Sequence, residues 1–206
     1  MSRIAAILFD LGNVVLELDF RRTFRHWADS AGVDEAIFYE RFSEDGAYRA
    51  HEQGALDFDG YVAALTETLG VSMSHDQWHA GWNDVFVGPY PGVQAKLREL
   101  SGRLPLFAFT NTNPTHEAEW RARYSQALGH FEEIYVSSTI GLRKPDQQAF
   151  EWVATAMQLA PAEILFLDDN PENIAGAQRS GLTTARTLGE DEVLAALAEF
   201  DDRLGS

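Results

Sequence analysis

Asp10 closes an apolar run, Ile4-Ala5-Ala6-Ile7-Leu8-Phe9, and leads directly into Leu11-Gly12-Asn13. A carboxylate at the end of a buried-strand pattern, at the mouth of a glycine turn, stands where an open α/β sheet places its reactive groups. Two further apolar runs end alike: Leu106-Phe107-Ala108-Phe109 in Thr110-Asn111, and Ile164-Leu165-Phe166-Leu167 in Asp168-Asp169. Lys144, in Gly141-Leu142-Arg143-Lys144-Pro145, precedes a helix that Pro145 is placed to start. Gathered together, Asp10, Asp168 and Asp169 repel and raise one another's pKa unless cations neutralise them, and one lysine is not enough. The chain has no cysteine and no clustered histidines, so the implied cation has oxygen ligands, which points to Mg²⁺. Mg²⁺ beside a lysine and hydroxyl or amide donors suits a phosphate group, and a carboxylate nucleophile there forms an aspartyl-phosphate that water hydrolyses. Singly, each residue has a plainer reading, as a turn, a surface lysine, or a helix cap at Asn113 and Asn170. Their common place at strand and loop ends of one edge argues for a site.

The elements that must position these groups change character along the chain. After the first strand, residues 20–86 show helical periods without clear strands. Thr23, Phe24 and Trp27 share a face, and Ile37, Tyr39 and Phe42 suggest a second helix. A third begins at Asp57-Phe58 and stops at Gly70; a fourth runs from His75 to Phe86. Beyond Gly88-Pro89-Tyr90-Pro91-Gly92, helices and strands alternate to the end of the chain. Helices are expected over 93–100, from Asn113-Pro114 to 128, 145–159, 171–180 and 191–200, and strands at 104–109, 134–136, 163–167 and 183–185. That order predicts a Rossmann-like three-layer α/β/α core with a parallel sheet and an inserted helical bundle. Residues 1–16 and 88–206 make the core, and 17–87 the insertion. The aromatics of the insertion (Trp27, Phe38, Tyr39, Phe42, Tyr48, Trp78, Trp82) are read mostly as its core.

A length of 206 residues allows one domain with a modest insertion. The net charge of −16 argues against nucleic acid and anionic membranes as partners. No signal peptide or membrane-spanning stretch is seen, so the expected location is cytoplasmic. Without cysteine, disulfides and thiolate chemistry are excluded. The sequence does not say which oligomer forms.

These motifs resemble those of the haloacid dehalogenase superfamily along nearly the whole chain. The carriers are Phe9-Asp10-Leu11-Gly12-Asn13-Val14, Phe109-Thr110-Asn111, Arg143-Lys144-Pro145 and Phe166-Leu167-Asp168-Asp169-Asn170. With His51-Glu52-x-Gly54 and Gly81-Trp82-x-x-Val85-Phe86, they are most similar to a bacterial sugar-phosphatase subgroup whose clearest member acts on glucose 1-phosphate. The resemblance implies a HAD-like fold with a small helical cap and a Mg²⁺-dependent phosphoric monoester hydrolase acting on a small phosphorylated metabolite. It makes Asp10 the nucleophile and a metal ligand, and gives the Gly12 carbonyl to the metal. Thr110 and Asn111 would hold phosphoryl oxygens, and Lys144 would bind phosphate and orient Asp10. Asp169 would be the direct acidic metal ligand, with Asp168 behind it or as the lysine's partner. Asn173 stands where many members carry a further acid. Gly12 is the main departure, because the second aspartate of the usual first motif protonates the leaving group. An anomeric phosphate, whose leaving group needs less help, would fit; His51 and Glu52 are candidates for the proton, though cap packing is their more ordinary role. The alternatives are a 2-haloacid dehalogenase of the same fold and a catalytically weak phosphate-binding regulatory protein.

Overall fold

The computed structural model describes residues 3–204. In chain order the elements are β1 (Ala6–Phe9), β2 (Leu16–Leu18), α1 (Phe20–Ala31), α2 (Ala36–Arg41), α3 (Gly46–Glu52), α4 (Phe58–Leu69) and α5 (His75–Asn83). There follow β3 (Phe86–Pro89), α6 (Pro91–Leu100), β4 (Leu106–Thr110), α7 (Pro114–Leu128), β5 (Glu133–Val136), α8 (Ser137–Ile140) and α9 (Gln147–Met157). The chain ends with β6 (Ile164–Asp168), α10 (Pro171–Arg179), β7 (Thr183–Arg186) and α11 (Gly189–Glu199).

Among the described residues the main sheet has five parallel strands in the order β5-β4-β1-β6-β7. The strand period of two sends alternate side chains to opposite faces. Ile7 and Phe9 of β1 pack with Leu106, Ala108, Leu165 and Leu167 against Val93, Leu97, Trp120, Val193 and Leu197 of α6, α7 and α11. Ala6 and Leu8 pack with Phe107, Phe109 and Phe166 against Ala149, Phe150, Val153, Ile174 and Ala177 of α9 and α10. Both faces are covered, so β1, β4 and β6 read as continuous apolar runs. Phe9 pairs with Leu167 on one side and Ala108 on the other. Asp10 therefore emerges beside Asp168, close to the end of β4 at Thr110.

The helices α1–α5 form their own aromatic cluster, in which Phe24, Trp27, Phe38, Tyr61, Trp78 and Trp82 are buried. Trp27 and Trp82 stack with centroids 5.9 Å apart, and the Trp27 indole N–H donates to the Trp78 carbonyl at 3.1 Å. Each such ring stabilises by about 1.5–3 kcal/mol on burial. Asp57 caps α4 by accepting from Gly60 N, and Gly70 ends it in the left-handed region at φ +68°. β2 and β3 form an antiparallel ribbon that carries the chain into and out of this cluster.

Several expectations need correction. The stretch 20–86 was expected to be helical to Phe86, but β3 begins there: Gly88 and Pro89 cannot extend a helix, and their backbone pairs with β2. A further helix, α3, lies between the expected second and third, capped by Asp45, which accepts from Tyr48 N at 2.9 Å. On α2 it is Phe38 that turns inward, while Tyr39 is exposed. Pro145 does not open a helix; α9 starts at Gln147, because Pro145 belongs to the loop that carries Lys144. That loop lies against α10 at Gly176, where a β-carbon would collide with the Pro145 carbonyl.

Gly176→Ala is therefore expected to destabilise by about 1–3 kcal/mol through overpacking, despite the roughly 1 kcal/mol alanine gains in a helix interior. Urea denaturation checks this; an unchanged or raised midpoint would refute it.

Candidate active site

Asp10, Lys144, Asp168 and Asp169 meet at the carboxyl edge of β1 and β6. Lys144 is fully buried, with Nζ 2.9 Å from Asp10 Oδ1 and 2.7 Å from Asp168 Oδ2. Asp10 Oδ1 also accepts from Leu11 N at 2.7 Å. Asp168 is held from the other side: Asn170 N donates to Oδ1 at 2.8 Å, and the Asn173 amide spans both oxygens at 3.0 and 3.1 Å. Asn173 thus serves Asp168 as a donor where a further acid is usual in the resembled family. Asp169 Oδ2 accepts from Asn13 Nδ2 at 3.2 Å. Asn13 takes a left-handed backbone (φ +55°), which asparagine tolerates better than most residues, and its Oδ1 accepts from Leu18 N.

The electrostatics set this cluster's needs. Burial, only partly offset by Lys144 and aggravated by Asp168 and Asp169, pushes the Asp10 carboxyl up to about 7. Burial also raises Asp169. Burial would depress the Lys144 ammonium, but the Asp10 and Asp168 carboxylates outweigh it and hold it above its ordinary value. One ammonium among three carboxylates leaves negative charge in excess. Asp10, Asp168 and Asp169 each offer an oxygen within 4.8 Å of the others. Gly12 lines the same cavity, and its carbonyl accepts no hydrogen bond among the described residues. An oxygen-only set with excess negative charge fits a hard divalent cation.

Thr110 and Asn111 lie at the end of β4 and line the cavity with Asp10 and Lys144. The Asn111 side chain is already engaged: Nδ2 donates to the Lys144 carbonyl and Oδ1 accepts from Lys144 N, each at 2.9 Å. It fixes the lysine loop with one Nδ2 hydrogen, which leaves the second Nδ2 hydrogen and the main chain for a bound anion. The cavity has a volume of about 180 Å³. A β-carbon at Gly12 would stand 2.9 Å from Leu18 Cδ1, so an apolar group fills the place of a side chain at that position.

The helical cluster closes over this edge. His51 is buried in packing: Nδ1 donates to the Leu56 carbonyl at 2.8 Å, and the ring stacks on Tyr61. Glu52 instead lines the cavity. Its Oε2 accepts from Arg143 Nη2 and Nε at 2.7 and 3.1 Å, and its carbonyl accepts from Ser137 Oγ at 2.6 Å. His116 lines the cavity too, stacked on Trp82 and donating from Nε2 to the Trp82 carbonyl at 3.0 Å. Leu18, Ser137 and His116 were not read as site residues. No motif marks them, because they gain their places only when the insertion folds back on the sheet.

Residues 4–181 match the model of the haloacid dehalogenase-like hydrolases, and the chain belongs to that family. It is 22% identical over 189 residues to the D-ribitol-5-phosphate phosphatase of Bacteroides thetaiotaomicron, covering 86% of this chain and 89% of that one. A sesquiterpene phosphatase of Aspergillus oryzae is 32% identical over 132 residues, covering 64% of this chain and 67% of the other. A haloacid dehalogenase-family enzyme of Bacteroides thetaiotaomicron, solved with magnesium and inorganic phosphate, superposes with a TM-score of 0.79 at 26% identity, covering 91% and 96% of the two chains. No helix among the described residues is long and apolar enough to cross a membrane.

Burial pulls the His116 imidazole down to about 3 from its ordinary 6.5. Between those values the unfolded chain binds a proton that the folded one refuses. Neutral His116 thus contributes stability above about 6.5 that is lost as pH falls toward about 3. His116→Gln is expected to flatten the acid side of the stability profile between about pH 6.5 and 4. Thermal denaturation across pH checks this, and parallel wild-type and variant profiles would refute it.

Proposed function

We propose that this hydrolase is a Mg²⁺-dependent phosphatase of small phosphomonoesters, working through an aspartyl-phosphate on Asp10. The observation that carries the reading is the buried Lys144 held between Asp10 and Asp168, with Asp169 adjoining in an oxygen-only, over-negative cluster. The relatives named for phosphatase activity, and the neighbour solved with magnesium and phosphate, support it. Asp10, the Gly12 carbonyl and Asp169 would hold the ion, with Asp168 behind them as the lysine's partner. Bound there, Mg²⁺ would neutralise the carboxylates and polarise the phosphoryl oxygens.

The protein's own groups supply the rest. Lys144 favours the ionised form of Asp10 and aims it, the bound cation would complete that neutralisation, and the ammonium faces the transferring phosphoryl group. The Thr110 hydroxyl and the Asn111 main chain bind phosphoryl oxygens. A carboxylate oxygen of Asp10 attacks phosphorus, the P–O ester bond breaks, and the leaving oxygen departs with the bonding pair and takes a proton from water. A second water then releases inorganic phosphate and regenerates Asp10. In this reading residues 1–16 and 88–206 carry the chemistry, and 17–87 is a cap over it.

The substrate proposed is a sugar phosphate, with glucose 1-phosphate as the type. Gly12 supplies no side-chain acid and Leu18 fills its place. A leaving group that departs readily, such as an anomeric oxygen, suits such a site. The haloacid reading is weaker, because displacing halide needs no Mg²⁺, and without that cation a haloacid's carboxylate would meet the uncompensated Asp10, Asp168 and Asp169.

Asp10→Asn is expected to abolish release of inorganic phosphate from p-nitrophenyl phosphate while leaving the circular dichroism unchanged, and EDTA to abolish it reversibly in wild type. Residual turnover by the variant, or turnover insensitive to EDTA, would refute the mechanism. Leu18 Cδ1 lies where the new β-carbon would go, so Leu18→Ala makes room for the Gly12→Asp side chain. Gly12→Asp combined with Leu18→Ala should raise kcat for alkyl phosphates about tenfold or more, within the range of general acid catalysis. Equal gains on anomeric and alkyl phosphates would count against the leaving-group argument.

A further inference from the structure

The charge balance of the cavity restricts what can stand beyond the phosphoryl group. Its lining includes the carboxylates of Asp10, Asp169, Glu44 and Glu52. The one cationic side chain among the lining residues is Lys144, already paired with Asp10 and Asp168. His116 is neutral there, since burial pulls it to about 3. The nearby guanidinium of Arg143 is taken by Glu52, both of its contacts falling on Oε2.

Glu52 is the unusual member of this set. Its side chain is only 7% exposed, yet Oε1 accepts no hydrogen bond among the described residues. The carboxylate is also held in place. Arg143 grips one oxygen, Ser137 Oγ bonds the Glu52 carbonyl, and Gly54 (φ +71°) packs its α-carbon on the Ser138 carbonyl, where a β-carbon would collide. A fixed, nearly buried carboxylate with one free oxygen at a cavity wall makes a strong hydrogen-bond acceptor. It also repels a second negative charge where screening is weak.

We infer that Glu52 is a specificity-determining residue: its free Oε1 accepts a hydroxyl of the leaving group, and its charge excludes phosphomonoesters whose leaving group bears a carboxylate. The substrate class is then uncharged polyol and sugar phosphates. This rests on the phosphatase reading above. Glu52 also masks Arg143, so removing its charge both lifts the repulsion and releases a guanidinium beside the cavity.

The test uses a matched pair, glycerol 3-phosphate and 3-phosphoglycerate, in which a hydroxymethyl group is replaced by a carboxylate. With p-nitrophenyl phosphate as a hydroxyl-free reference, kcat/KM is measured in Mg²⁺ for wild type, Glu52→Gln and Glu52→Asp. Wild type should favour glycerol 3-phosphate at least tenfold. Glu52→Gln should bring the pair within about threefold of each other, each rate taken relative to that variant's own p-nitrophenyl phosphate turnover, and Glu52→Asp, which keeps the charge, should retain the preference. Wild type that hydrolyses p-nitrophenyl phosphate but treats the pair alike would overturn the inference and leave the phosphatase reading standing. Failure to hydrolyse any ester would overturn that reading and the inference with it. If Glu52→Gln does not fold, wild type and Glu52→Asp decide: a preference lost in Glu52→Asp, with p-nitrophenyl phosphate turnover intact, would overturn the charge argument.

Discussion

The fold around the carboxyl edge of the sheet is organised by one buried ammonium. Taking an ion out of water costs several kcal/mol even after the protein relaxes, and the cost is offset only where geometry and further hydrogen bonds are good. Lys144 meets that condition with two carboxylates within 2.9 Å and with the rings of Phe109 and Phe166 each 5.4 Å away. Each carboxylate is then secured in turn, Asp168 by Asn170 N and Asn173, and Asp10 by Leu11 N. The lysine backbone is clamped by the Asn111 amide from the end of β4. Segments far apart in the chain are thereby bound to one charge. Each segment contributes a partner to that cluster, so the sheet order β4-β1-β6 serves this ion cluster as well as the apolar core.

Much of this was legible in the sequence, for a physical reason. Strands covered on both faces write themselves as uninterrupted apolar runs, and their ends are marked by the first polar residue. Asp10, Thr110 and Asp168 were therefore found by position alone. Asp57 and Gly70 were legible as the ends of α4, because capping chemistry is local. What was not legible depended on partners distant in sequence. That the Asn111 side chain also clamps Lys144 was hidden, because nothing near it in sequence shows that it turns there. β2 and β3 are short, and their signal is hidden among the aromatics of the insertion. Pro145 looked like a helix start because proline commonly is one; here its carbonyl is packed against Gly176.

Gly12 shows how one departure from a motif is absorbed by its surroundings. A missing side chain leaves either a void or a neighbour moved inward, and a void forfeits dispersion contacts. Here Leu18, at the end of β2, stands over the α-carbon. Its backbone is tied to Asn13, whose amide in turn supports Asp169. One short segment thus fills the space and supports the acidic cluster. The cavity wall at Gly12 is thereby apolar.

Charged residues of the helical insertion line the same cavity, and their connection to the sheet domain is mutual. Glu52 reaches Arg143, the residue beside Lys144, while Ser137 Oγ accepts from Thr112 N and donates to the Glu52 carbonyl. The helical insertion therefore touches the loop that carries Lys144. Any movement that lifted α3 away would break a nearly buried ion pair and leave Arg143 without its carboxylate. A partner that compensated Glu52, such as a leaving-group hydroxyl on Oε1, would favour the closed arrangement by its differential affinity for it. On the proposed role of Glu52, recognition of the leaving group and the contact between α3 and the lysine loop would run through the same carboxylate.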